Sequence, residues 1–174
     1  MRKVSVATVW LDGCSGCHMS LLDMDEAIVA LADRIELVYG PLVDAQEFPA
    51  EVDVTLVEGA VSSQDDLIKV QKVRQHTRVL ISLGDCAVTG NVPAMRNSIP
   101  VQRLLQSIYA GDGGKVVPTD GVPALLKQAR PIREFVKVDL SLPGCPPPAK
   151  SISGVLAALL DGKKPESAVM AKFG

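Results

Sequence analysis

The sequence predicts an α/β fold: an open parallel sheet with helices on both faces, flavodoxin-like in its strand order 2-1-3-4-5. Three observations predict it. Strand and helix signals alternate along the chain, the pattern of parallel strands joined by crossover helices. Residues 52–57, Val-Asp-Val-Thr-Leu-Val, are nearly all apolar or β-branched, as a strand covered on both faces must be. The 174 residues, 47% hydrophobic and 22% charged, suit one domain over residues 1–174 with a real core.

The elements follow in order. Residues 3–10 are rich in Val and Thr and read as the first strand. Residues 13–16 form a loop, and residues 19–32 a helix carrying Leu21, Leu22, Ile28, Val29 and Leu31. A second strand at 35–39 ends at Gly40-Pro41, and the third covers 52–57. Ser62 or Ser63 caps a helix at 65–76, with Asp65 and Asp66 in its first turn favouring the helix dipole. Residues 78–83 are the fourth strand. Residues 91–100 form a loop or a broken helix, because Pro93 and Pro100 interrupt it. Residues 101–109 look helical, and 110–122, rich in Gly, read as an exposed excursion. The fifth strand is placed at 135–140. The last helix is placed at 147–160, where Ile152, Val155, Leu156, Leu159 and Leu160 share a face and Gly162 supplies the stop.

Composition excludes several classes of partner. Net charge is −2 and Lys and Arg are scattered, so no surface is set up for nucleic acid or an anionic membrane. Aromatics are 3%, too few for stacking platforms on single strands. The N-terminal apolar run is too short for a secretory signal and lacks its small-residue cleavage site. No stretch is long enough to span a bilayer, so no direct membrane insertion is expected. A cytoplasmic location with reduced thiols is expected, which favours metal binding over disulfides.

Cysteine placement carries the chemistry. Cys14 and Cys17 form a C-x-x-C pair in Gly-Cys-Ser-Gly-Cys, Cys86 closes Leu-Gly-Asp-Cys, and Cys145 sits in Pro-Gly-Cys-Pro-Pro-Pro. Each follows a predicted strand, so the fold brings the loops to one rim of the sheet, where such sheets bind ligands. Four thiolates at one rim suit the corners of a [4Fe–4S] cube. The C-x-x-C turn gives two neighbouring corners, and Gly13, Gly16 and Gly144 allow the backbone close to a cluster. Pro146, Pro147 and Pro148 stiffen the last loop.

Other readings compete. Zinc also takes four cysteines, although its sites usually show two close pairs. Cys14-Ser15-Gly16-Cys17-His18 spells the attachment motif of c-type haem, which requires export and an enclosing site. A thioredoxin-like dithiol leaves Cys86 and Cys145 unexplained. Four buried free cysteines fit poorly with Gly and Pro neighbours. His18 reads as a polar residue on a first helical turn or a contact at a subunit interface. Glu58, ending the third strand near the same rim, either carries protons, faces a partner or is a solvated strand-end carboxylate. Asp85 reads as a loop former, and Trp10 and Tyr109 as packing residues. Gly111-Asp112-Gly113-Gly114 lacks the Lys-Ser/Thr of a phosphate loop.

Three segments together resemble one family. Trp10-Leu11-Asp12-Gly13-Cys14-Ser15-Gly16-Cys17-His18-Met19-Ser20, Gly84-Asp85-Cys86-Ala87-Val88-Thr89-Gly90 and Pro143-Gly144-Cys145-Pro146-Pro147 are similar, in order, to the motifs of [NiFe] hydrogenase small subunits. The resemblance implies that Cys14, Cys17, Cys86 and Cys145 ligate one [4Fe–4S] cluster, the proximal one. It implies a large-subunit partner holding the Ni–Fe centre, and it makes Glu58, in Val57-Glu58-Gly59, a candidate for proton transfer. Neither the twin-arginine signal nor the cysteine-bearing C-terminal extension of exported members is present, so one cluster is expected. That form is similar to the small subunit of the cytoplasmic NAD-reducing type. There a diaphorase pair adds FMN, further iron–sulfur clusters and the NAD site, and the whole complex performs H2 + NAD+ ⇌ NADH + H+. The related quinone-reducing subunit of respiratory complex I shares several motifs but has adjacent cysteines in the first; here Ser15-Gly16 separates them. A zinc-stabilised interaction module without redox function is the alternative of a different class.

Overall fold

The computed structural model describes residues 2–109 and 117–163. Five parallel strands make the main sheet: β1 (Val4–Trp10), β2 (Ile35–Tyr39), β3 (Val52–Glu58), β5 (Thr77–Leu83) and β7 (Leu140–Leu142). Two short strands, β4 (Val61–Ser63) and β6 (Leu125–Arg130), form a separate antiparallel pair. The main sheet runs β2-β1-β3-β5-β7. Numbered within that sheet alone, the order is the predicted 2-1-3-4-5.

Side chains alternate across the sheet and build a core on each face. On one face Val54, Leu56, Ile81 and Leu83 pack against Leu21, Met24 and Leu31 and against Ile152, Val155 and Leu156. Those residues belong to α1 (Gly16–Leu22), the turn after it, α2 (Glu26–Leu31) and α7 (Ala149–Leu160). On the other face Val9, Val57 and Leu80 meet Val70 and Val73 of α3 (Gln64–Gln75), with Ala87 and Ile132. β3 lies between β1 and β5, and Val54, Leu56 and Val57 are all buried, which accounts for its nearly unbroken apolar run.

Ser63 is the cap of α3: its hydroxyl accepts from the Asp66 N–H while Asp66 Oδ2 accepts from the Ser63 N–H at 2.9 Å. The predicted helix at 19–32 is instead two helices. Asp25, at φ 47°, breaks the path and lets Met24 turn into the core. Residues 91–100 form a broken helix, with α5 (Asn91–Ala94) running into a 3-10 turn at Met95–Ser98. Two further helices are α4 (Gly84–Thr89) and α6 (Val101–Tyr109), the second on its predicted residues.

The fifth strand is not at 135–140. Phe135, Val136 and Val138 pack on the α3 face of the sheet without joining it. Pairing begins where Asp139 N–H donates to the Leu80 carbonyl at 2.9 Å and Asp139 Oδ2 accepts from Leu80 N–H at 2.9 Å. The ladder then runs through Leu140–Leu142 beside Ile81, Ser82 and Leu83. Apolar content at 135–138 thus reports burial, not strand pairing. Most of the excursion expected at 110–122, with Gly111 to Gly114, lies outside the described residues, as does the tail beyond 163. Among the described residues no helix is long and apolar enough to cross a membrane.

Candidate metal centre

Three loops meet beyond the carboxyl ends of β1, β5 and β7. The first leaves β1 and is stitched to the end of β3. Leu11 N–H donates to the Glu58 carbonyl at 2.9 Å, and Asp12 and Ala60 exchange backbone bonds of 3.1 and 2.8 Å. Ser15, at φ 67°, then swings the chain into α1, placing Cys14 just before the helix and Cys17 in its first turn. Cys86 lies in the first turn of α4, directly after β5. Cys145 follows β7 through Gly144, whose φ of 136° favours glycine.

The loops are in contact. A Cβ at Gly84, where φ is 82°, would collide with the Cys17 sulfur and stand 3.5 Å from the Gly144 carbonyl oxygen. Asp85 is more than a loop former. Its backbone N–H donates to the Gly144 carbonyl at 2.9 Å, and its Oδ1 accepts from the Gly144 N–H at 2.7 Å. These reciprocal bonds staple the Cys86 loop to the Cys145 loop. The Ser20 hydroxyl donates to the Pro147 carbonyl and ties α1 to the proline turn.

Cys17 is buried, Cys86 is half-buried, and Cys14 and Cys145 are exposed. Burial raises the Cys17 thiol pKa well above its ordinary value, and Glu58, Cys86, Cys14 and Cys145 push in the same direction. Burial likewise raises Cys86, with Cys145 and Cys14 adding to it, while the Val92 backbone N–H pulls the other way. Cys17 and Cys86 thus each lie close to the other thiols of the three loops. Thiol donors converging from three loops suit an iron–sulfur cluster. Among the described residues no three His, Cys, Asp or Glu side chains close on a single metal ion.

Glu58 and His18 sit differently from the sequence reading. Glu58 is 1% exposed and His18 2%, so neither is a solvated or surface group. The Glu58 carboxylate turns under the start of α1, where Oε2 accepts the His18 backbone N–H at 3.0 Å and also meets His18 Nδ1. Gly13 lies over the same carboxylate, its Cβ direction 3.4 Å from Oε1. His18 Nε2 is buried with no hydrogen-bond partner among the described residues, beside Cys17. An orphaned polar atom beside Cys17 points to a further polar group completing the site. Sequence reasoning also missed Asn91, whose side-chain N–H donates to the Cys145 sulfur at 3.6 Å. A Gly-Asn pair after a helix is the available signal.

Gly84→Ala is expected to lower stability by about 2–4 kcal/mol, since a side chain at positive φ and a collision with a buried sulfur both count against it. A fall in the urea midpoint at unchanged m, with reduced iron content, checks this.

Residues 14–159 match the family described as NADH ubiquinone oxidoreductase, 20 Kd subunit. Over 167 residues the chain is 36% identical to a subunit of the F420-non-reducing hydrogenase vhu of Methanocaldococcus jannaschii, covering 94% of this chain and 58% of that protein. It thus spans little more than half of that relative. Over 168 residues it is 38% identical to NAD-reducing hydrogenase HoxS subunit delta of Cupriavidus necator, covering 92% of this chain and 80% of that one. A crystal structure of an NAD+-reducing [NiFe]-hydrogenase in the H2-reduced state contains a chain that superposes with a TM-score of 0.94 at 38% identity, covering 99% of this chain and 100% of that one. On the motifs, the fold and these likenesses, the chain belongs to the 20 Kd-subunit family and, within it, to the [NiFe] hydrogenase small subunits.

Proposed function

We propose that this chain is the electron-relay small subunit of a cytoplasmic NAD-reducing [NiFe] hydrogenase, acting as one unit over residues 1–174. Cys14, Cys17, Cys86 and Cys145 hold one [4Fe–4S] cluster. On one side stands a large subunit with the Ni–Fe centre; on the other, diaphorase subunits with FMN, further iron–sulfur clusters and the NAD site. The complex performs H2 + NAD+ ⇌ NADH + H+. When bound, the cluster accepts and passes on single electrons.

The observation that carries this reading is the meeting of the three cysteine loops, with the Cys17 sulfur against Gly84 and Asp85 bonded to Gly144. The NAD-linked type is supported by the 38% identity shared with the HoxS delta subunit. This chain's residues position and insulate. Gly84 gives the Cys17 sulfur room, Asp85 fixes the spacing of two ligand loops, and Ser20 anchors the proline turn. Glu58 is the proton-transfer candidate, with His18 Nδ1 as the neighbour to which a proton can pass.

Metal analysis of the purified complex tests the reading. Cluster binding predicts about four iron and four acid-labile sulfide attributable to this chain, with a reducible spectrum. A single zinc without iron would instead support the interaction module and remove the relay.

A further inference from the structure

The turn after α4 carries a feature that cluster ligation by itself does not require. Among the described residues only Ser15, Asp25 and Asn91 combine a side chain with positive φ, and Asn91 adopts φ 32°. Asn tolerates this region better than most residues, yet glycine would take it without strain. Glycine, however, has no amide to offer. At 91 the amide is used: Nδ2 donates to the Cys145 sulfur at 3.6 Å, across 54 residues of chain.

The same turn is held to a second cysteine loop. Gly90 N–H closes on the Cys86 carbonyl at 3.0 Å, fixing the turn to the helix that carries Cys86. One short segment thus bonds both to the Cys86 helix and to the Cys145 sulfur.

We propose that Asn91 is a positioning residue that tunes the cluster, its side-chain N–H···S bond to Cys145 favouring the reduced state. This rests on the cluster reading above. A reduced cluster carries one more negative charge, shared in part by its ligand sulfurs. A hydrogen bond to a sulfur therefore strengthens on reduction and raises the potential. Glycine at 91 keeps the turn but removes the side-chain donor. Aspartate keeps the shape and turns a carboxylate toward the sulfur.

The test is a redox titration of the intact complex carrying Asn91→Gly or Asn91→Asp, with iron and sulfide measured in each. The relevant signal is the one absent from a Cys145→Ser complex. At the wild-type midpoint, the reduced-to-oxidised ratio should fall about threefold in N91G, from the loss of roughly 0.7 kcal/mol of preference. It should fall about tenfold in N91D, which is 59 mV for a one-electron couple. Unchanged midpoints with normal iron in both variants, or a rise in N91D, overturn the inference and leave the cluster intact as a reading. Loss of the cluster from both variants also overturns it, since Asn91 would then serve assembly. A wild-type complex lacking this cluster defeats the underlying reading instead, and iron content separates the two failures.

Discussion

A Cys145→Ser complex is expected to lose H2-linked NAD+ reduction almost completely while NADH oxidation by an artificial acceptor continues. Cys145 is exposed on a loop held by Gly144 and the proline turn, and it contributes nothing to either core cluster. Its replacement by serine should therefore change the stability of the fold by no more than about 0.5 kcal/mol. What it changes is chemistry. A serine hydroxyl ionises far less readily than a thiol and is a harder ligand, so it is a poor corner for an iron–sulfur cube. Electrons from the large subunit would then have no route through this chain. Iron and sulfide content, H2-driven NADH formation and diaphorase turnover measured on one preparation distinguish the cases. Sustained H2-linked turnover without the cluster would refute the relay.

The second large effect falls on stability. Glu58→Leu should destabilise the chain by about 3–5 kcal/mol, read as a lower urea midpoint. The carboxylate is 1% exposed, accepts from the His18 backbone N–H and meets the His18 ring Nδ1. Leucine would leave both groups buried without a partner, in a place where His18 Nε2 already has none among the described residues. Glu58→Gln keeps an amide oxygen for the backbone N–H and should cost only about 1 kcal/mol. If leucine were tolerated as well as glutamine, the buried bond would not be holding the first ligand loop.

Much of the architecture is legible in the sequence because alternation and apolar runs report burial on a sheet. The first four strands of the main sheet lie within a residue or so of their predicted places. The fifth differs because Phe135, Val136 and Val138 are apolar for packing and not for pairing. β4 has only three residues, and β6 carries Lys127, Gln128 and Arg130, so neither shows a strand pattern. The four cysteines stand out through their Gly and Pro settings at strand ends. The polar contacts around them do not. His18 and Glu58 are 40 residues apart, and Asn91 and Cys145 are 54 apart. Periodicity says which face a residue occupies but not which distant partner its polar tip will find.

The paired bonds between Asp85 and Gly144 bear on how the subunit behaves over many turnovers. Two walls of the thiol cage are latched to each other by the polypeptide itself. In the proposed relay, a cage latched in this way would need less nuclear rearrangement per electron, which would favour a fast hop in both directions. For the cluster proposed above, the same latch would hold two of the three ligand loops in place before iron arrives.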